Sequence, residues 1–115
     1  MTPTFAQGEL ARRVHAFVAT IPRGRVVTYA DVALAVGSPG AGRTVGGILS
    51  AMPDGSKLPC HRVVRSDGRV AAGHAGDSLT RGLRRDGVEV TPEGRIVRFN
   101  DLRWDGFTAP VGTLK

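Results

Sequence analysis

A tight Gly-Ser-Pro-Gly connector at residues 37–40 constrains the fold of this chain more than any other stretch. Proline and glycine both disfavour a continuing helix, so a helix must end before the connector and a new one must begin after it. Apolar residues precede the connector at helical spacing: Tyr29, Val32, Ala33 and Val36. We predict helices over about 29–36 and 41–51, which form the outline of a helix-turn-helix.

Further elements are predicted before and after this pair of helices. Thr28 is the predicted N-cap of the helix over 29–36, with Asp31 at its third position. An amphipathic helix is predicted over 5–20, with His15 on its surface, and a strand is predicted at 63–64, followed by a turn at 66–68. A helix capped by Asp77 or Ser78 is predicted to run to about Arg85, with Leu79 and Leu83 inward. A β-hairpin is predicted over 88–99. Trp104 is expected to pack the tail onto the body.

These elements predict a mainly α fold with a small β element, arranged as a single winged helix-turn-helix-like domain. We expect the domain to span residues 1–108 and residues 109–115 to be disordered, because the last stretch has little to bury.

Composition narrows the function classes. The net charge is +6, and only Lys57 and Lys115 of the sixteen basic residues are lysines. This balance indicates either a polyanion partner such as nucleic acid or an arginine-rich solvated surface. No ligand spacing typical of zinc occurs, and neither a metal nor a cofactor is expected. A single cysteine and the lack of a long apolar run favour a reducing, cytoplasmic location.

The helix over 41–51 has an unusually slim face, formed by Ala41, Gly42, Gly46 and Gly47. Glycine lowers helix stability by about 1 kcal/mol relative to alanine, so its repeated use in a helix needs a reason. One reason is close approach to a narrow groove, with Arg43 inserted. The other is close packing against a neighbouring helix, with Arg43 in solvent.

The lone Cys60 stands directly before His61, within Pro59-Cys60-His61-Arg62. A cysteine beside an ionisable group is a candidate nucleophile, although unpaired cysteines are more often small buried hydrophobes. In an extended segment the two neighbouring side chains point to opposite sides, so we expect a bridging water between Cys60 and His61 rather than a direct bond.

Taken in order, three motifs resemble the C-terminal domain of the O6-alkylguanine-DNA alkyltransferases, and most closely the alkyltransferase-like proteins. The resemblance covers roughly residues 5–104. The motifs are Ile21-Pro22-x-Gly24-x-Val26-x-Thr28-Tyr29, then Arg43-Thr44-Val45-Gly46-Gly47, then Pro59-Cys60-His61-Arg62-Val63-Val64.

The resemblance implies a role for each matching residue. It makes Cys60 the acceptor of the alkyl group, His61 the base that acts through a water, and Asp86 the carboxylate that orients His61. Tyr29 would contact the flipped nucleotide and protonate the departing base, and Arg43 would fill the gap in the duplex. The resemblance also implies minor-groove binding, for which we assign these DNA-binding residues: Thr28, Tyr29, Ala41, Arg43, Gly46, Gly47 and Arg62.

Four departures from the family pattern set the open question. Met52 replaces an asparagine that braces the active-site loop, and Asp86 replaces a longer glutamate. The loop Ala71–Asp77, which contains His74, lacks the aromatic wall of the alkyl pocket, so a more open pocket is expected. Cys60 is retained where alkyltransferase-like proteins normally carry Trp or Ala.

Two functions therefore stay open. The first, which we favour, is a single-turnover DNA repair protein that moves an alkyl group from O6-alkylguanine in duplex DNA to Cys60. The second is a non-catalytic damage sensor that hands the lesion to nucleotide excision repair proteins. Either would act as a monomer. An ordinary helix-turn-helix regulator would not need the Pro-Cys-His-Arg string.

Overall fold

The computed structural model describes residues 7–52, 57–71 and 76–105, and its elements are mainly helical, as predicted. They are α1 (Gln7–Val18), β1 (Val27–Thr28), α2 (Tyr29–Ala35), α3 (Gly42–Ser50), a 3-10 turn (Cys60–Arg62), β2 (Val63–Val64), α4 (Gly76–Arg85) and α5 (Phe99–Leu102). Over the described residues, no helix has the length and apolar character that a bilayer crossing requires. The tail expected to be disordered, 109–115, lies outside the described residues.

A complete capping box starts α2, as the sequence predicts. The Thr28 Oγ1 atom accepts a hydrogen bond from the Asp31 backbone N–H at 3.0 Å, and Asp31 Oδ2 accepts one from the Thr28 N–H at 3.0 Å. Gly37 ends the helix with a φ of +86°, a conformation that side-chain-bearing residues rarely adopt. The local sequence therefore sets both ends of α2.

The helices α2 and α3 form the expected helix-turn-helix, and a glycine allows their close contact. A Cβ atom on Gly42 would lie only 3.4 Å from the backbone nitrogen of Ala30. The close-packing explanation of the slim face is therefore correct for Gly42.

Two valine-rich clusters form the core on either side of a short parallel sheet. β1 pairs with β2 in the register Val27↔Val63 and Thr28↔Val64. Val27 and Val63 belong to the cluster that includes α1, α2 and α3, whereas Val64 and Leu83 belong to the cluster beneath α4. The sheet holds the 3-10 turn directly before β2, next to the start of α2.

Trp104 packs the C-terminal segment onto the body, as predicted. Its ring stacks on Phe17 with centroids 5.8 Å apart, and its backbone N–H donates to the Val26 carbonyl at 2.7 Å. The inward positions of α4 are also confirmed: Leu83 is fully buried and Leu79 is half-buried.

Several boundaries and placements differ from the prediction. Asp77 and Ser78 lie inside α4, so neither is its N-cap. Antiparallel bridges join Val90 to Ile96 and Arg69 to Arg95, but the expected hairpin does not continue to Phe99. Arg98 adopts a left-handed φ of 62°, which turns the chain into α5.

His15 is not a surface residue, because it is half-buried on the side of α1 that faces α3. Its Nε2 atom is buried and has no hydrogen-bond partner among the described residues. It lines a cavity of about 510 Å³ together with Met52 and Ile48. The helical periodicity could not reveal this, because α3 covers that side of α1 only in the folded chain.

Replacing Thr28 with valine tests the capping box. The substitution keeps the shape of a side chain that is 1% exposed but leaves the Asp31 N–H without its acceptor. We expect the free energy of unfolding to fall by about 1 kcal/mol, measured by urea denaturation. Thr44→Val, at an exposed position of α3, is the control and should change it by less than about 0.5 kcal/mol. Equal losses in both variants would contradict the cap's role.

Candidate active site

Cys60, His61 and Arg62 occupy one 3-10 turn that leads into β2, rather than the extended segment expected from the sequence. The turn is closed by a hydrogen bond from the Arg62 N–H to the Pro59 carbonyl at 3.0 Å. Successive side chains on such a turn are about 120° apart instead of opposite. The Cys60 and His61 side chains still diverge, and no hydrogen bond joins them in the part of the chain described. A bridging water stays a prediction.

The shortened carboxylate of Asp86 reaches His61. Asp86 Oδ2 lies 2.9 Å from His61 Nε2. Asp86 directly follows α4, and its own N–H bonds back to the Gly82 carbonyl at 3.1 Å. Gly87, with a φ of +86°, then turns the chain away. The end of α4 therefore lies next to the 3-10 turn. This position of the backbone brings the Asp86 carboxylate within reach of His61 although aspartate is one methylene shorter than glutamate.

Arg62 binds the same carboxylate through two atoms. Its Nε donates to Asp86 Oδ2 at 2.7 Å and its Nη2 donates to Oδ1 at 3.1 Å, while Nη1 donates to the Ile21 carbonyl at 2.9 Å. All three contacts are internal, and the side chain is 16% exposed. The structure favours a positioning role for Arg62, and its contact with DNA stays an untested prediction.

Arg23 adds a further positive charge to Asp86, which sequence reasoning did not find. Its Nε lies 3.8 Å from Asp86 Oδ1, and its Nη2 donates to the Arg85 carbonyl at 2.6 Å. No local pattern links residues 23 and 86, so only the folded chain could bring this pair to light.

This network decides the protonation of His61. Burial lowers the pKa of His61 more than its hydrogen bond to Asp86 raises it, and the charges of Arg62 and Arg85 lower it further. Burial raises the pKa of Asp86, but the hydrogen bonds from Arg62 and His61 outweigh this and hold the pKa below its ordinary value. Asp86 is therefore an acceptor, so neutral His61 donates its Nε2–H. Nδ1 is left as the basic nitrogen.

The thiol and the phenol are both kept protonated. Burial raises the pKa of the half-buried Cys60 above its ordinary value. Burial likewise raises the pKa of Tyr29, and negative charge on Cys60 raises it further because the two groups lie within electrostatic range. Tyr29 is therefore available as a proton donor, whereas Cys60 needs a base before it can act as a nucleophile.

The residues of the slim face divide into two sets. Gly46 faces the Tyr29 ring, where an added Cβ would lie 3.8 Å from Cε1. Ala41 packs on the core, whereas Gly47 and Arg43 are exposed, and nothing lies within 4 Å of a Cβ placed on Gly47. Close packing therefore accounts for Gly42, whereas the approach of exposed Arg43 and Gly47 to a DNA groove stays a prediction.

Two other predicted positions are limited in what they can do. Thr28 is 1% exposed and its hydroxyl serves the helix cap, so the geometry does not favour DNA contact through this side chain. Of the loop Ala71–Asp77, residues 72–75 lie outside the described residues, and so do the predictions for His74 and the alkyl pocket. Within the described ranges, no three His, Cys, Asp or Glu side chains are grouped as metal ligands would be.

A family model and individual relatives of known name all indicate the same protein family. Residues 9–88 match the model described as 6-O-methylguanine DNA methyltransferase, DNA binding domain. The chain is similar to the DNA base-flipping protein of Escherichia coli K12, with 47% identity over 97 residues that cover 82% of this chain and 73% of that protein. It is also similar to a methylated-DNA–protein-cysteine methyltransferase of Methanothermobacter thermautotrophicus, with 42% identity over 83 residues that cover 71% of this chain and 46% of that protein.

Among solved structures, the chain is similar both to an alkyltransferase-like protein and to a methyltransferase. S. pombe Atl1 in complex with damaged DNA containing O6-carboxymethylguanine has a TM-score of 0.80 at 27% identity, covering 88% of this chain and 99% of that one. Mycobacterium tuberculosis OGT in complex with DNA has a TM-score of 0.62 at 30% identity, covering 68% and 49%. The chain thus spans between a third and about half of the length of the methyltransferases it matches, but most of the base-flipping and Atl1 proteins.

The reactivity of Cys60 without DNA should follow its raised pKa. Because the pKa is above the ordinary value, the thiolate is scarce at pH 7 and increases only as pH rises through that pKa. We expect iodoacetamide to modify Cys60 slowly at pH 7, with a rate that climbs about tenfold per pH unit up to about pH 9. Cysteine in a short unfolded peptide is the control. A rate that has already reached its plateau at pH 7 would contradict the raised pKa.

Proposed function

This chain belongs to the 6-O-methylguanine DNA methyltransferase family, DNA binding domain, and we propose that it binds duplex DNA carrying O6-alkylguanine, rotates the lesion out of the helix and accepts the alkyl group on Cys60. The observation that carries the proposal is the 2.9 Å contact between His61 Nε2 and Asp86 Oδ2. A carboxylate that orients the histidine is one half of the arrangement used in nucleophilic catalysis, and because no direct hydrogen bond joins Cys60 to His61 the proton transfer in our proposal runs through a water.

The transfer needs a proton removed from sulfur and one supplied to guanine. In our proposal, Nδ1 of neutral His61 takes the Cys60 proton through a water, and the thiolate attacks the alkyl carbon. A C–S bond forms as the bond from that carbon to O6 breaks, and the electron pair stays with the guanine. Tyr29 donates a proton to the departing base and is later reprotonated from solvent, while the protonated His61 releases its proton to solvent. The thioether on Cys60 is stable, so each molecule acts once.

DNA binding in this proposal uses α3 and the positive charge of the chain. Arg43 is exposed at the start of α3, and Gly47 leaves the helix surface bare one turn later. A flipped base leaves a gap in the stack, and unstacking costs a few kcal/mol, so a side chain that fills the gap stabilises the flipped state. The net charge of +6 supplies phosphate attraction. The relatives' structures in complex with DNA support DNA binding by this chain.

A second candidate, a damage sensor that binds the lesion without transfer, is favoured by one feature of the site. Burial raises the pKa of Cys60 while it lowers the pKa of His61, so the thiol is hard to ionise and its base is weak. The likeness to base-flipping proteins over most of their length agrees with this candidate. A sensor would need partners that continue repair, and nucleotide excision repair proteins are our proposal for them.

An intact-mass experiment separates the two functions. The protein is incubated with a duplex that contains one O6-methylguanine, and the mass of the chain is then measured. We expect a gain of one methyl group, because in our proposal His61, oriented by Asp86, takes the thiol proton through a water. Cys60→Ser is the control and should bind the duplex without gaining mass. Tight lesion-selective binding by the unaltered chain with no mass gain would establish the sensor instead.

Replacing Arg43 with alanine tests base flipping. Because only the flipped state needs a filled gap, we expect affinity for the lesion duplex to fall about tenfold or more, and affinity for undamaged duplex to fall much less. Arg12→Ala removes the same charge from an exposed position of α1 and serves as the matched control. Fluorescence anisotropy with both duplexes gives the two affinities. Equal losses for damaged and undamaged DNA would show that Arg43 is an ordinary phosphate contact.

A further inference from the structure

The His61 ring lies directly against the backbone of α4 at Gly82. A Cβ atom at position 82 would lie 2.7 Å from His61 Cγ, 2.9 Å from Nδ1 and 3.0 Å from the histidine's own Cβ. Non-bonded carbon atoms normally approach to about 3.5–4.0 Å, so no side chain at position 82 fits beside the ring as placed. Gly82 is itself buried, which leaves the helix little freedom to move away.

The same helix end holds the ring from a second direction. Gly82 and Asp86 are four residues apart, a spacing that places both on one side of α4. Asp86 accepts the His61 Nε2–H at 2.9 Å, and its backbone N–H bonds to the Gly82 carbonyl at 3.1 Å. Moving the ring away from residue 82 would therefore strain or break its hydrogen bond to Asp86.

We propose that Gly82 is a positioning residue for His61: the bare backbone at this point of α4 is what allows the imidazole to bind Asp86 and present Nδ1 as a base. Glycine is a poor helix former, so its place in the interior of α4 calls for such a reason. The catalytic meaning of the inference rests on the proposed alkyl transfer, but the geometric part does not.

The test substitutes alanine for Gly82 and follows three quantities. In G82A the ring is displaced toward solvent, so we expect the His61 pKa, measured by NMR titration, to rise toward its ordinary value. We expect the rate of methyl transfer at pH 7 to fall at least tenfold, and affinity for the lesion duplex to change less than twofold. Gly8→Ala, in α1 with nothing within 4 Å of the added Cβ, is the control and should alter none of these.

A second background keeps the test decisive if G82A folds poorly. In H61A the ring is absent, so a Cβ at position 82 keeps only its 3.0 Å contact with the Cβ of residue 61. We expect G82A to lower Tm in the unaltered chain by clearly more than in the H61A chain. An equal Tm loss in both backgrounds, or an unchanged His61 titration and transfer rate in G82A, would overturn the proposal. If the unaltered chain transfers no methyl group, the proposed function fails, while the titration and Tm measurements still decide the role of Gly82.

Discussion

The structure of the site depends on one shared carboxylate. Asp86, whose side chain is 8% exposed, binds Arg62 through two atoms and His61 through one. Arg62 also donates a hydrogen bond to the Ile21 carbonyl, in the segment between α1 and β1. Removing one partner of a buried ion pair leaves a charge without compensation, which is strongly destabilising. The 3-10 turn, the end of α4 and the segment before β1 are therefore held together at Asp86.

The same arrangement limits the chemistry. A carboxylate shared with arginine raises the basicity of a histidine less than one that binds histidine alone, because the positive charges oppose imidazole protonation. Burial and those charges together keep the pKa of His61 low, and burial keeps the pKa of Cys60 high. In the proposed function, these surroundings of the thiol, and not the presence of a cysteine alone, would set the balance between transfer and binding.

Within α3, some residues pack against α2 and others are exposed. Gly42 of α3 approaches the Ala30 backbone, where an added Cβ would lie 3.4 Å from the nitrogen, whereas an added Cβ at Gly46 would lie at an ordinary van der Waals distance of 3.8 Å from the Tyr29 ring. Arg43 and Gly47 face outward from the same helix. Tyr29 packs against the same core cluster as Cys60 and lies beside Gly46 of α3, so a DNA-binding surface on α3, as we propose, would lie close to the cysteine.

From the sequence alone, the parts that depend on neighbours in the chain could be predicted. The capping box of Thr28 and Asp31 and the break at Gly37 involve residues only a few positions apart, and both were predicted. The sequence also indicated the family, through three short motifs of which one surrounds Cys60. The rest required the folded chain: the 3-10 turn in place of an extended segment, the reach of Asp86 to His61, the internal use of Arg62 and the contact at Gly82. The last three join positions more than twenty residues apart, whose distances depend on how β1, β2 and α4 pack.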